Sequence, residues 1–253
     1  MNLQTRTKRI VIIGATSSIA EQCARLWVAH APVDLVLVGR DMTKLEMLAA
    51  DLRVRSPGSA VISRVADFHD PIGIQGLADQ LFAEGTVDIV LIAHGSLPIQ
   101  ADCESDLSNC QEALRLNGLS PILFAEAFAG HMHKTKAGTL ALIGSVAGDR
   151  GRKSNYVYGA AKGMVARYAQ GLQHRLAATG VKVILIKPGP TDTPMTAHLK
   201  RQGATLAAAS SVARDIVYGI ERGAPVVYAP AKWALIMMII RHLPGSLFNR
   251  LNI

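Results

Sequence analysis

Seven short runs rich in apolar residues punctuate the chain, at 10–13, 35–38, 61–65, 89–92, 140–143, 183–186 and 226–228. They lack the strict alternation of a half-exposed strand and read instead as strands buried on both faces. Between them, apolar positions recur with helical spacing over 17–29, 42–54, 71–83, 107–133, 155–178 and 210–222. Strand–helix alternation of this kind predicts an α/β fold, a doubly wound seven-stranded parallel sheet with helices on both faces.

Composition agrees with one packed domain over residues 1–253, 49% of them hydrophobic, without internal repeats or low-complexity linkers. Charge changes the picture. The net charge is +8, and it is unevenly spread. Residues 1–133 hold ten basic and fifteen acidic residues, whereas 134–253 hold seventeen and four. An anionic partner is therefore expected to face the second half. The basic half lacks interleaved aromatics or a recognition motif, which argues against nucleic acid. Three cysteines, Cys23, Cys103 and Cys110, show no metal-ligand spacing and read as free thiols of a reducing compartment. His131 and His133, two apart on a helix, point in different directions, so no metal site is expected. No secretory signal is read at the start. The longest apolar run, residues 233–240, falls far short of the ~20 residues a membrane-spanning helix needs.

The first strand leads into Gly14-Ala15-Thr16-Ser17-Ser18-Ile19-Ala20. In an open parallel sheet this turn lies at the carboxyl edge, where ligands bind. Gly14 permits the turn. Thr16, Ser17 and Ser18 are expected to cap the next helix and to offer hydroxyls and N–H groups to a pyrophosphate. The second strand ends Val38-Gly39-Arg40-Asp41. Arg40 stands where an acid would receive an adenosine ribose, which favours a 2′-phosphate and hence NADPH over NADH. Asp41 on a free 2′-hydroxyl is the rival reading. Asp67 is a candidate for the adenine amino group, with a helix cap at Asp67 or Asp70 as its alternative. Ser145 follows the fifth strand, and thirteen residues later comes Tyr158-Gly-Ala-Ala-Lys162. The i, i+4 spacing puts phenol and ammonium on one helix face, where the lysine is expected to lower the phenol's pKa. Tyr158 would then give a proton to a carbonyl oxygen, with Ser145 donating a second hydrogen bond to it.

Over its whole length the chain resembles the short-chain dehydrogenase/reductase superfamily, on Gly14, Leu116-Asn117-Gly118, Ser145, Tyr158, Lys162 and Pro188-Gly189 with Thr193. The resemblance implies a Rossmann-like sheet and a catalytic tetrad of Asn117, Ser145, Tyr158 and Lys162. Asn117 would hold a water in the proton relay. The resemblance also implies cofactor contacts from Ile19, Phe68, Ala93 and Gly95. Pro188, Gly189, Thr191 and Thr193 would cover the nicotinamide. The glycine-rich turn departs from the pattern at Ser18 and Ala20, and the usual Asn-Asn-Ala-Gly reads Ile92-Ala93-His94-Gly95. His94 there is expected to pack or to touch ribose. The superfamily's dimers and tetramers, built on two long helices, imply a homo-oligomer through 107–133 and 155–178.

The second half is similar to the decaprenylphosphoryl-2-keto-erythro-pentose reductases, in residues 149–158, in 195–200 and in the tail from Trp233 through Arg241-His242-Leu243-Pro244-Gly245 to Ile253. That resemblance implies reduction of a 2-keto sugar on a polyprenyl phosphate, after a flavin-dependent oxidase partner has made the ketone. It places the protein in the cytoplasm, peripheral at the inner membrane. Arg150, Arg152 and Lys153, between Ser145 and Tyr158, are then candidates for the substrate phosphate, with a solvated basic loop as the alternative. His198 is a candidate substrate contact. Residues 230–253 form an apolar and basic C-terminal extension, read either as a membrane-surface helix or as a buried or subunit-interface one.

Overall fold

The computed structural model describes residues 6–251, so the Asn252 and Ile253 of the tail motif lie outside the described residues. The chain runs β1 (Lys8–Ile13), α1 (Ser18–His30), β2 (Val33–Gly39), α2 (Met42–Arg55), β3 (Ala60–Val65), α3 (Pro71–Glu84) and β4 (Ile89–Ile92). Helices α4 (Gln100–Ser105), α5 (Leu107–Leu114) and α6 (Ser120–Thr135) then lead to β5 (Thr139–Ile143), α7 (Tyr156–Leu176) and β6 (Lys182–Pro188). A small ribbon, β7 (Thr191–Asp192) with β8 (Ala207–Ala208), brackets α8 (Ala197–Arg201). Finally come α9 (Ala209–Arg222), β9 (Val226–Ala229), α10 (Lys232–His242) and α11 (Gly245–Phe248).

Seven strands pair in parallel in the order β3-β2-β1-β4-β5-β6-β9, the predicted sheet. β1 shows why its strand has no polar alternation. Ile10 and Ile12 pack into one layer with Cys23 and Trp27 of α1, Leu45 and Leu52 of α2 and Ile216 of α9. Val11 and Ile13 face the other layer, with Ile74 and Leu81 of α3, Phe124 and Phe128 of α6 and Val165 of α7. Alternate side chains of one strand thus serve two cores, and burying each adds ~1.5–3 kcal/mol. Strand order reverses at β1, between β2 and β4, which opens a crevice at their carboxyl ends.

The long helix expected over 107–133 is interrupted. Residues Arg115–Leu119 form a π-helical turn between α5 and α6. Two causes are visible. Asn117 Nδ2 donates back to the Ala113 carbonyl at 3.0 Å, competing with the main-chain ladder. Pro121 carries no N–H, so the Asn117 carbonyl has no α-helical donor four residues on. The wider turn follows, and such turns gather at functional sites.

Candidate active site

A cleft of about 410 Å³ lies above the carboxyl ends of β1, β4, β5 and β6. Gly14, Thr16, Ser17, Ser18 and Ile19 form one wall. Gly14 sits at φ +79°, and a Cβ there would lie 2.7 Å from the His94 main-chain nitrogen. Only glycine permits both the turn and that approach. Ser17 is the N-cap of α1, yet its side chain makes no capping hydrogen bond. Capping by these hydroxyls is therefore not seen. They remain uncommitted at the rim, beside a helix start that carries partial positive charge.

The far wall is built at the end of β2. Arg40 lines the cleft with its guanidinium 5.8 Å from the Phe68 ring centre. Asp41, the rival candidate for a ribose hydroxyl, instead caps α2 by accepting from Lys44 N at 3.2 Å. Lys44 joins Arg40 on the lining, a cation that sequence reasoning missed. Asp67 lies outside the cleft, exposed, and accepts from His69 N at 2.8 Å. Asp70 caps α3. Ala93 and Gly95 close the floor, and Pro188, Gly189, Thr191 and Thr193 the opposite side. His94 is buried between the Phe68 and Phe124 rings, its Nε2 2.9 Å from Ser120 Oγ. Burial, helped by the charges of Lys162, Arg40 and His69, holds its pKa well below the usual imidazole range. A neutral ring at pH 7 fits packing, not acid–base work.

All four members of the expected tetrad reach the same cleft. Ser145 leaves β5 and caps a short 3₁₀ turn, Val146–Asp149, its Oγ accepting from Ala147 N at 3.1 Å. Tyr158 and Lys162 stand one turn apart on α7. Lys162 is 3% exposed and donates from Nζ to the Ile143 carbonyl at 3.0 Å. Burial pushes its pKa down to about 8. The expected lowering of the phenol's pKa is not what the structure gives: burial raises it, with a hydrogen bond to Ser145 pulling the other way. The ammonium, 5.8 Å from the Tyr158 ring centre, is turned toward the main chain of β5. Tyr158 is thus a protonated phenol at neutral pH, a proton donor ready for a carbonyl oxygen. Asn117 is fully buried, and its Oδ1 accepts from Ser96 N at 2.8 Å.

The family model for short chain dehydrogenases matches residues 8–204. The chain belongs to that family. Curated relatives of this short-chain dehydrogenase include an uncharacterized oxidoreductase from Streptomyces coelicolor, 31% identical over 96% of both chains. Another uncharacterized oxidoreductase, from Mycobacterium tuberculosis, is 32% identical over 96% of both chains. Among solved structures, a short-chain dehydrogenase from Sphingobium yanoikuyae in complex with NADPH superposes with a TM-score of 0.81 at 24% identity, covering 94% of this chain and 97% of that one. An actinorhodin polyketide ketoreductase with NADPH gives 0.78 at 21% identity over 88% and 95%. These structures share the fold.

The basic residues of this short-chain dehydrogenase divide sharply. Arg152 lines the cleft with Ser145 and Tyr158, its guanidinium without a hydrogen-bond or ion-pair partner among the described residues. Burial lowers the pKa of its guanidinium. Arg150, expected at the substrate mouth, turns away. Its Nη1 donates to the carbonyls of Ile240 and Leu243, both at 2.6 Å, and its guanidinium lies 3.8 Å from the Phe248 ring centre. It satisfies the open carbonyl end of α10 and so ties the tail to the 3₁₀ turn after Ser145. Lys153 and His198 are exposed and outside the lining; Leu199, next to His198, takes the place in the wall. Asp149 is buried with Lys187 as its ion-pair partner and accepts from Tyr228 Oη at 2.8 Å.

Asn155 also escaped the sequence reading. It lines the cleft, and its Oδ1 is shielded from solvent without a partner. It is the N-cap residue of α7, three positions before Tyr158, and that placement at the helix start was the available signal.

Proposed function

We propose that this protein reduces a ketone to a secondary alcohol with NADPH, and that the ketone is the 2-keto group of a polyprenyl-phosphoryl pentose, giving the polyprenyl-phosphoryl arabinose. The observation that carries the reading is the meeting, in one cleft, of Asn117, Ser145, Tyr158 and Lys162 with Arg40 at one end and unpaired Arg152 at the other. Two cations, Arg40 and Lys44, with the Phe68 face nearby, suit a phosphorylated adenosine. The turn at Gly14 and the hydroxyls of Thr16, Ser17 and Ser18 suit a pyrophosphate. When bound, the reduced nicotinamide supplies the hydride.

The chain's own groups do the rest. Tyr158 gives its proton to the carbonyl oxygen, and Ser145 donates a hydrogen bond to the charge that develops there. Buried Lys162 holds a proton near the phenol, and a water held by Asn117 would carry a proton back to Tyr158 after transfer. Arg152, desolvated and unpaired, takes the substrate phosphate. Apolar walls from Leu97, Leu116, Met195 and Leu199 suit the lipid-like part of such a substrate. They equally suit another lipid-like ketone, which is the second reading. A sensor that binds NADP(H) without turnover is the third, and the assembled tetrad speaks against it.

On this reading a flavin-dependent oxidase supplies the keto-sugar. The enzyme works in the cytoplasm, peripheral at the inner membrane, as a homo-oligomer built on α6 and α7. The test is steady-state cofactor oxidation with the polyprenyl-phosphoryl keto-pentose against simple ketones. Arg152→Ala is expected to raise KM for the phosphorylated substrate by about 10- to 100-fold, the worth of a charge-assisted hydrogen bond, while simple ketones are unaffected. An unchanged KM would remove the phosphate role. Greater activity on simple ketones would favour the second reading.

A further inference from the structure

Helix α10 has two apolar faces and uses one of them. Met237 is buried, with Trp233, Ile236 and Ile240 half-buried beside it on the inner face. A Cβ on Gly189 would come within 1.9 Å of the Trp233 indole nitrogen, so the indole is seated on the loop after β6. The outer face carries Leu235, Met238 and Ile239, which are 60%, 53% and 54% exposed. Leu247 and Leu251 extend the apolar surface along the tail. These residues stand at i, i+3 and i+4, so they form one stripe and not scattered exposure.

Charge identifies what the stripe meets. Lys232 and Arg250 are exposed near it, as is the imidazole of His242, whereas Arg241 turns to Tyr228 on the inner side; no Asp or Glu follows Glu221. Apolar side chains accompanied by Lys232 and Arg250, with no acidic side chain on α10 or the tail, match the interface of an anionic lipid bilayer, where the stripe enters the headgroup–acyl boundary and the cations meet phosphates. A second copy of the chain would bring the same cations against itself.

We infer that the outer face of α10 docks this enzyme on an anionic membrane surface. The inference rests on the surface alone and holds for any substrate. The dock is joined to the active site: Arg150, which follows the catalytic 3₁₀ turn, holds the carboxyl end of α10, and Trp233 supports Gly189 of the cleft.

The test is vesicle flotation of the full chain with phosphatidylglycerol–phosphatidylcholine vesicles and with phosphatidylcholine alone. Binding is expected to the anionic vesicles, to weaken with added salt, and to be at least about tenfold weaker without anionic lipid. Leu235→Glu with Ile239→Glu is expected to abolish flotation while circular dichroism and turnover of a water-soluble ketone stay unchanged. Lys232→Glu with Arg250→Glu, which leaves the apolar stripe intact, is expected to weaken it as well. Absence of wild-type binding to anionic vesicles would overturn the inference. So would a change of oligomeric state in the Leu235→Glu, Ile239→Glu protein by analytical ultracentrifugation, which would make the face a subunit contact.

Discussion

Replacing Lys162 by Met should stabilise the fold while destroying its chemistry. The lysine is buried, and its pKa falls from 10.5 to about 8. At ~1.4 kcal/mol per pKa unit, that shift corresponds to about 3 kcal/mol of strain carried by the charged form at neutral pH. Methionine has similar length and no charge to desolvate. Its cost is the lost hydrogen bond to the Ile143 carbonyl, about 1 kcal/mol. The net expectation is a gain of about 2 kcal/mol at pH 7, the difference between these two effects. The sign also fixes the pH dependence. A lysine whose folded pKa lies below its unfolded pKa binds fewer protons in the folded state between those values. Wild-type stability therefore rises as pH climbs from about 8 to 10.5. The Met variant lacks that rise, so its advantage shrinks across this window and becomes a deficit of about 1 kcal/mol above it, where only the lost hydrogen bond counts. Urea unfolding of both proteins at several pH values from 7 upward measures the difference, with unfolding enthalpy and m-value as checks on two-state behaviour. A difference that stays constant through the window would show that the ammonium is not strained, and the argument would fail.

Other consequences are as direct. Arg40→Ala should raise the NADPH KM about tenfold or more while leaving the NADH KM nearly unchanged, since only the 2′-phosphate loses its partner; equal effects on both cofactors would contradict that assignment. Gly14→Ala should cost about 2 kcal/mol or more and weaken dinucleotide binding, measured by calorimetry, because the new Cβ meets the His94 backbone at positive φ. Arg150→Ala should lower Tm through the uncapped end of α10, by about 2 kcal/mol of stability, with no specific rise in KM for a phosphorylated ketone. Such a rise would return Arg150 to the substrate site.

The sheet could be read directly because strands buried on both faces leave uninterrupted apolar runs, as Ile10 to Ile13 do. The tetrad could be read because a helix turn brings Tyr158 and Lys162 together without help from the rest of the chain. Other features depend on partners distant in sequence. Arg150 looked like its neighbour Arg152 because nothing local distinguishes them; the carbonyls that claim it are 90 and 93 residues away. The break at Asn117 was hidden by an apolar period that runs smoothly through it, although Pro121 was the visible cue. The upward pKa shift of Tyr158 follows burial, a property of the assembled core, and not the lysine one helix turn away. Asp67 accepts from His69 N in a backbone turn of its own, a local bond common for short polar side chains.

The family match stops at residue 204, but the architecture does not. β9 pairs with β6 from Leu185↔Val226 to Pro188↔Ala229, and Gly189 N donates to the Ala229 carbonyl at 2.9 Å. A chain cut where the match ends would bare the long apolar edge of β6, a template for strand-to-strand aggregation. It would also lose Trp233, which supports the Gly189 loop on the wall of the cleft. For anyone dividing, fusing or grafting this enzyme, the segment after residue 204 is sheet and foundation, and the end of the family match is no place to make the cut.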